Sequence, residues 1–127
     1  FTGMNAQVRE TVSDLTNKMM TLQGRAVGLA APQIGSSDRV VVIMDGSSLL
    51  IMVDPIITLK NGGGGSAREG CLSLPGRSVN VYRNNKVTVD YVDPTHGRAV
   101  TRTFRRFMAR VVQHEVDHLN GILMTDK

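Results

Sequence analysis

The sequence predicts an α+β domain in which antiparallel strands pack around a central helix, with a second helix near the N-terminus. Three observations carry this. Apolar residues at helical spacing occupy both ends of the chain, period-two alternation and turn signals occupy the middle, and 127 residues suit one domain spanning 1–127. With 41% hydrophobic and 20% charged residues the chain is ordinary for a globular protein and unlike a disordered one.

The elements follow in order. Over residues 5–23, Val8, Val12, Leu15, Met19 and Leu22 lie four, three, four and three apart, one face of a core-facing helix that Gly24 stops. Residues 26–35 read as a loop, because Gly28, Pro32 and Gly35 interrupt regular structure and the small side chains let backbone approach something closely. Residues 39–44 and 49–53 read as strands around an Asp45-Gly46-Ser47-Ser48 turn, and 56–59 as a short further strand. Four consecutive glycines within 61–66 predict a flexible surface turn; without a following Lys-Ser/Thr it is not a phosphate-binding loop. Residues 86–92 alternate, with Val87, Val89 and Tyr91 on one face, and 98–104 return after an Asp93-Pro94-Thr95-His96-Gly97 turn. From about 106 to 120 the period is helical again, with Met108, Val111, Val112, Glu115 and Leu119 on adjoining faces and Gly121 at the end.

Composition narrows the function classes. No apolar run approaches the ~18 residues of a membrane span, and no charged segment followed by an apolar run marks a signal peptide. A single cysteine excludes an internal disulfide framework and fits a reducing compartment. Arg98, Arg102, Arg105, Arg106 and Arg110 give the chain a basic face and contribute to a net charge of +4. With no binding motif and only five aromatics, that face reads as solvated, and neither a specific nucleic acid nor a membrane is expected as a partner.

The chemistry gathers at the rare residues. There are three histidines, three glutamates and one cysteine, and two of the histidines fall in Gln113-His114-Glu115-Val116-Asp117-His118 on the last helix. Histidines four apart stand one turn above each other and can converge on one metal ion. Glu115 is placed to serve as a general base toward water beside that ion. Gln113 and Asp117 add polar groups around the motif.

An open catalytic site of this kind needs a third protein ligand. Downstream only Asp126 could supply it; upstream the choices are Cys71, Glu69, Glu10 and His96. Cys71, within Glu69-Gly70-Cys71-Leu72-Ser73-Leu74-Pro75-Gly76, is favoured, since a thiolate binds zinc or ferrous iron far better than a lone carboxylate.

Three segments together resemble the motifs of the peptide deformylase family: Gly28-Leu29-Ala30-Ala31-Pro32-Gln33-Ile34-Gly35, Glu69-Gly70-Cys71-Leu72-Ser73 and Gln113-His114-Glu115-Val116-Asp117-His118-Leu119. The resemblance implies a hydrolase that removes the formyl group from N-formylmethionyl peptides in the cytoplasm of a bacterial or phage-infected cell, or in an organelle. It implies a divalent metal, ferrous iron foremost with zinc, nickel or cobalt as alternatives, held by Cys71, His114 and His118. Glu115 would move the proton, Gln33 and the Leu72 N–H would stabilise the oxyanion, and Val27, Gly28 and Gly70 would pair with the peptide backbone. Val111 and the aliphatic part of Arg110 would wall the methionine pocket. Ala26 stands where the family usually has glycine, which is expected to narrow the pocket. Either Arg77 or Arg83 is expected to pair with Glu69. No counterpart of the family's N-terminal strand precedes the first helix, and none of its ribosome-docking C-terminal extension follows Lys127, so any ribosome contact is expected to be transient.

Two rival readings use the same residues. A zinc peptidase lacks its downstream ligand and leaves Gln33 and the Cys71 segment unexplained. A structural site closed by His96 would normally draw on more cysteines in close pairs.

Overall fold

The computed structural model describes the backbone of residues 5–22, 26–46, 48–71 and 74–121, and their side chains except at 62, 67–71 and 74–79. Helix α1 (Ala6–Leu22) is followed by β1 (Gly28–Ala30), a 3-10 turn (Ala31–Ile34), β2 (Val40–Asp45), β3 (Ser48–Cys71), β4 (Leu74–Asp93), β5 (Arg98–Arg105) and α2 (Arg106–Leu119). The strands form one antiparallel sheet in chain order, β1 and β5 at its edges, in agreement with the α+β expectation.

The apolar run of β2 explains where the helices lie. Val41 and Ile43 pack with Val111, Val112 and Val116 of α2, whereas Val40 and Val42 pack with Val8, Leu15, Met19 and Leu22 of α1. Successive residues of a strand point to opposite faces, so the sheet is covered by α1 on one side and α2 on the other. A strand buried on both faces needs a continuous hydrophobic sequence, and Val40-Val41-Val42-Ile43 supplies it.

α1 starts where Asn5 accepts a hydrogen bond from the Val8 N–H at 2.8 Å, an N-terminal cap. Its buried face departs from the expected stripe at one place, where Thr11 is buried and Val12 only half-buried. The Thr11 hydroxyl donates to Asp38 Oδ2 at 2.7 Å and lies 3.2 Å from Ser36 Oγ, so a polar residue is buried with its hydrogen bond made. Gly24 and Ser47 lie outside the described residues.

Two expectations are corrected. Residues 26–35 are not all loop: Gly28, Leu29 and Ala30 pair with Ile43, Val42 and Val41, and a 3-10 turn closes on Gly35 in the left-handed conformation. Residues 61–66 are not a surface turn. β3 runs through them, with Gly64, Gly65 and Ser66 opposite Asn84, Arg83 and Tyr82 of β4. A Cβ at Gly64 would collide with the Arg83 carbonyl oxygen and the Tyr82 ring. The glycine therefore permits close backbone approach within a strand, and long-range pairing overrides the local preference for a turn.

β3 bends where Asp54 takes a left-handed φ of 55°. Arg39 braces that bend. Its guanidinium pairs with Asp54 at 3.3 Å, donates to the Pro55 carbonyl at 3.2 Å and reaches Asn120 Oδ1 at the end of α2 at 3.1 Å. The β4–β5 turn and β5 lie where expected, but β4 begins at Leu74 rather than at 86, because its first half pairs with the glycine-rich part of β3; the turn is closed by Asp93, which accepts from the Thr95 N–H at 2.9 Å.

Candidate metal centre

α2 places the chemistry at its C-terminal half. The Nε2 atoms of His114 and His118 stand 3.2 Å apart, with ring centroids at 4.8 Å and planes inclined by 73°. Two nitrogens each about 2.0–2.1 Å from a tetrahedral ion would stand about 3.3 Å apart, so the pair fits a shared metal without rearrangement. His118 is buried and His114 half-buried.

Glu115 is also buried, at 4% exposure, and lies against β1. A Cβ at Gly28 would come within 2.9 Å of its Oε2, 3.0 Å of its Cγ and 3.1 Å of its Cδ. Only glycine at that position leaves the carboxylate its place. The β1 backbone thus forms one wall of the pocket in which Glu115 sits.

The opposite flank of α2 is tied to β4 by polar side chains. Arg83, only 3% exposed, forms an ion pair with Asp117. Gln113 donates to the carbonyls of Asn84 at 2.8 Å and Ala109 at 3.0 Å and accepts from the Asn84 N–H at 3.1 Å. Arg110 donates to the carbonyls of Val81 at 3.0 Å and Gly65 at 2.7 Å. Residues 110, 113 and 117 share one edge of the helix, and this seam fixes how α2 sits on the strands. Gln113 and Asp117, which the motif presents only as neighbouring polar groups, are therefore anchors.

Gln33 lies on the 3-10 turn, which packs against α2. Its Oε1 accepts the Ala30 N–H at 2.8 Å, which fixes the amide and turns its NH2 the other way. Val27 precedes β1, its carbonyl accepting the Met44 N–H at 2.7 Å, and Gly70 pairs with Ser78 near the end of β3. Val111 is buried in the core beneath the sheet.

Among the described residues no third carboxylate, thiol or imidazole joins the histidine pair. Glu10 is exposed on α1, across the sheet from α2. His96 is 62% exposed in the β4–β5 turn, where its Nδ1 lies 2.8 Å from Asp93 and its hydrogen bond lowers that carboxyl's pKa. The backbone of Cys71 ends β3 opposite Leu74; its thiol, the Glu69 carboxylate and the Arg77 guanidinium lie outside the described side chains, and Leu72, Ser73 and Asp126 outside the described residues. Of the arginines read as a basic face, Arg102 pairs with Asp45 at 3.3 Å and stacks over Phe104 at 4.8 Å, and Arg110 belongs to the seam. Arg83 and Asn84 are the residues of this region that motif reading did not place in these roles. Their pairing with α2 joins positions 34 and 29 apart, which leaves no local signal.

A family model described as polypeptide deformylase matches residues 1–127. The chain is 44% identical over 129 residues to a peptide deformylase of Symbiobacterium thermophilum, covering 99% of this chain and 58% of that one. It is 42% identical over 122 residues to a peptide deformylase of Halothermothrix orenii, covering 94% of this chain and 78% of that one. Among solved structures, the peptide deformylase of Thermotoga maritima superposes with a TM-score of 0.89 at 35% identity over 100% of this chain and 84% of that one. The Synechococcus elongatus peptide deformylase in complex with actinonin gives 0.89 at 34% identity, covering 99% and 68%.

Proposed function

The chain belongs to the polypeptide deformylase family, and on that premise we propose that it hydrolyses the N-formyl group of formyl-methionyl peptides, yielding formate and a free amino terminus. The family is metal-dependent. The observation that carries the reading furthest is the convergence of His114 and His118, 3.2 Å apart, beside the buried Glu115. The donor set of two imidazoles and the Cys71 thiolate suits ferrous iron, with zinc, nickel or cobalt as substitutes. The chemistry a divalent metal supplies there, when bound, is Lewis acidity toward water and the substrate carbonyl.

The chain's own residues do the rest. Glu115 accepts a proton as the water oxygen bonds to the formyl carbon, and it delivers a proton to the amide nitrogen as the C–N bond breaks. Gln33 donates its side-chain N–H to the oxygen that gains charge, and the Leu72 N–H supplies a second donor. β1 is an edge strand, so Val27 and Gly28 can take the peptide as an added strand, with Gly70 on its other side. Val111 and the Arg110 stem line the methionine pocket. Two solved relatives are in keeping with such a substrate: an Acinetobacter baumannii peptide deformylase is bound to Met-Ala-Ser, at a TM-score of 0.86 and 33% identity, and the S. elongatus one to actinonin. Action on nascent peptides would place the chain in the cytoplasm or an organelle. No described helix is long and apolar enough to cross a membrane.

The nickel- or iron-loaded chain should release formate from a formyl-Met tripeptide while leaving its peptide bonds intact. No formate from fully metallated protein, or cleavage at an internal peptide bond, would overturn the reading. A second expectation concerns Gly28→Ala. The added methyl group must displace the Glu115 carboxylate, and kcat should fall between about ten- and a hundredfold with the fold retained, since an error near 1 Å in a reacting group is costly. A kcat within twofold of wild type would show that Glu115 tolerates the displacement.

A further inference from the structure

We propose that the recess at the junction of β5 and α2 is a binding site for a diphosphate group. The β4–β5 ladder ends at the pair Lys86–Arg105, and α2 begins at Arg106 with no intervening loop. β4 extends N-terminally past that ladder, where Asn84 is tied to Gln113 of α2. At this opening lies a recess of about 530 Å3, within the range of about 300–1,000 Å3 of small-ligand sites. Among the described residues Asn85, Lys86, Arg105 and Arg106 line it, which makes three cations, one amide and no carboxylate. Arg106 is about 12 Å along the helix axis from His114, so the recess is separate from the metal centre and does not depend on it.

Two features set this cluster apart from a solvated basic surface. Lys86 stands directly opposite Arg105, and like charges so placed destabilise a sheet. Arg106 holds a left-handed φ of 57°, a conformation costly for a residue with a side chain and free for glycine. Among the described residues none of the three cations forms an ion pair, whereas Arg39, Arg83 and Arg102 each meet an aspartate. The cluster is therefore suited to an anion that brings its own charge. Arginine presents a planar fork that matches phosphoryl oxygens, and lysine adds a point charge. A carboxylate carries a single charge and would leave most of the cluster uncompensated. A phosphomonoester carries about −1.5 to −2 at pH 7, so two joined phosphoryl groups come closer to balancing three cations. The source of such a group is either inorganic pyrophosphate or a nucleoside diphosphate.

The test titrates inorganic pyrophosphate into the zinc-loaded chain at ~0.15 M salt, by calorimetry and by amide NMR shifts. One pyrophosphate should bind per chain, about tenfold or more tighter than sulfate, with the shifts centred on residues 85, 86, 105 and 106. The Lys86→Gln/Arg105→Gln double variant should bind about tenfold or more weakly. Arg106→Gly should weaken binding by about tenfold while leaving the melting temperature unchanged or higher, because glycine adopts the left-handed φ without cost. That variant separates loss of the ligand from loss of the fold. Adenosine and guanosine diphosphates binding more tightly than pyrophosphate would assign the site to a nucleotide, and equal or weaker binding would assign it to the inorganic anion. No saturable binding, wild-type affinity in either variant, or shifts centred on His114 and His118 would overturn the proposal. So would binding of a single-stranded oligonucleotide without binding of pyrophosphate.

Discussion

Glu115→Gln should give a folded, metal-binding protein whose kcat is lower by about 10²–10⁴-fold, the range that a positioned acid–base group contributes. The substitution is nearly isosteric, which matters because the side chain is 4% exposed and its Oε2 and Cγ lie close against Gly28. Glutamine fills the same space and lacks only the ability to accept and return a proton. The metal ligands are separate residues, so metal content should equal that of the wild type. Steady-state formate release, metal analysis and a thermal melt on the same preparation separate the three effects. A variant within a few fold of wild type would mean that another group moves the proton. A variant that lost metal would mean that Glu115 belongs to the ligand set.

The second large effect is expected at Gln33. Gln33→Glu keeps the oxygen that accepts the Ala30 N–H at 2.8 Å and replaces only the NH2 end, turning a donor into an anionic acceptor. Loss of one preorganised donor to a developing oxyanion costs about 10²–10³-fold in kcat, roughly 3–4 kcal/mol, and the added negative charge works in the same direction. KM should change by only a few fold, because the interaction is made in the transition state. A larger change in KM than in kcat would instead assign Gln33 to substrate binding. An unchanged rate would remove it from the site.

Much of this site is legible because its parts are local. His114 and His118 are four apart on a helix whose buried face is periodic, so their convergence follows from helical geometry. The hairpin of β4 and β5 is equally local, its alternation and its Asp93–Gly97 turn sharing a short stretch of chain. What sequence reasoning misreads depends on distant partners. The glycines at 61–66 suggest a turn until β4 lies beside them, where the Arg83 carbonyl leaves Gly64 no room for a side chain. Val12 is the more apolar neighbour, yet Thr11 is buried because Asp38 and Ser36 meet its hydroxyl from residues far along the chain. The ion pair of Arg83 with Asp117 has the same character: Asp117 belongs visibly to the motif, but nothing adjacent to it names its partner.

The chain's single cysteine makes one measurement decisive for the ligand set. Cobalt bound through a thiolate gives an ultraviolet sulfur-to-metal charge-transfer band, and in this chain that sulfur can only be Cys71 or one of the methionines, whose neutral thioethers are weaker ligands for cobalt. One cobalt per chain with this band in the wild type, and loss of the band with weakened cobalt binding in Cys71→Ser, is the expected result. A wild-type complex without the band, or a Cys71→Ser variant that binds cobalt as tightly as the wild type, would contradict a metal centre built from Cys71, His114 and His118.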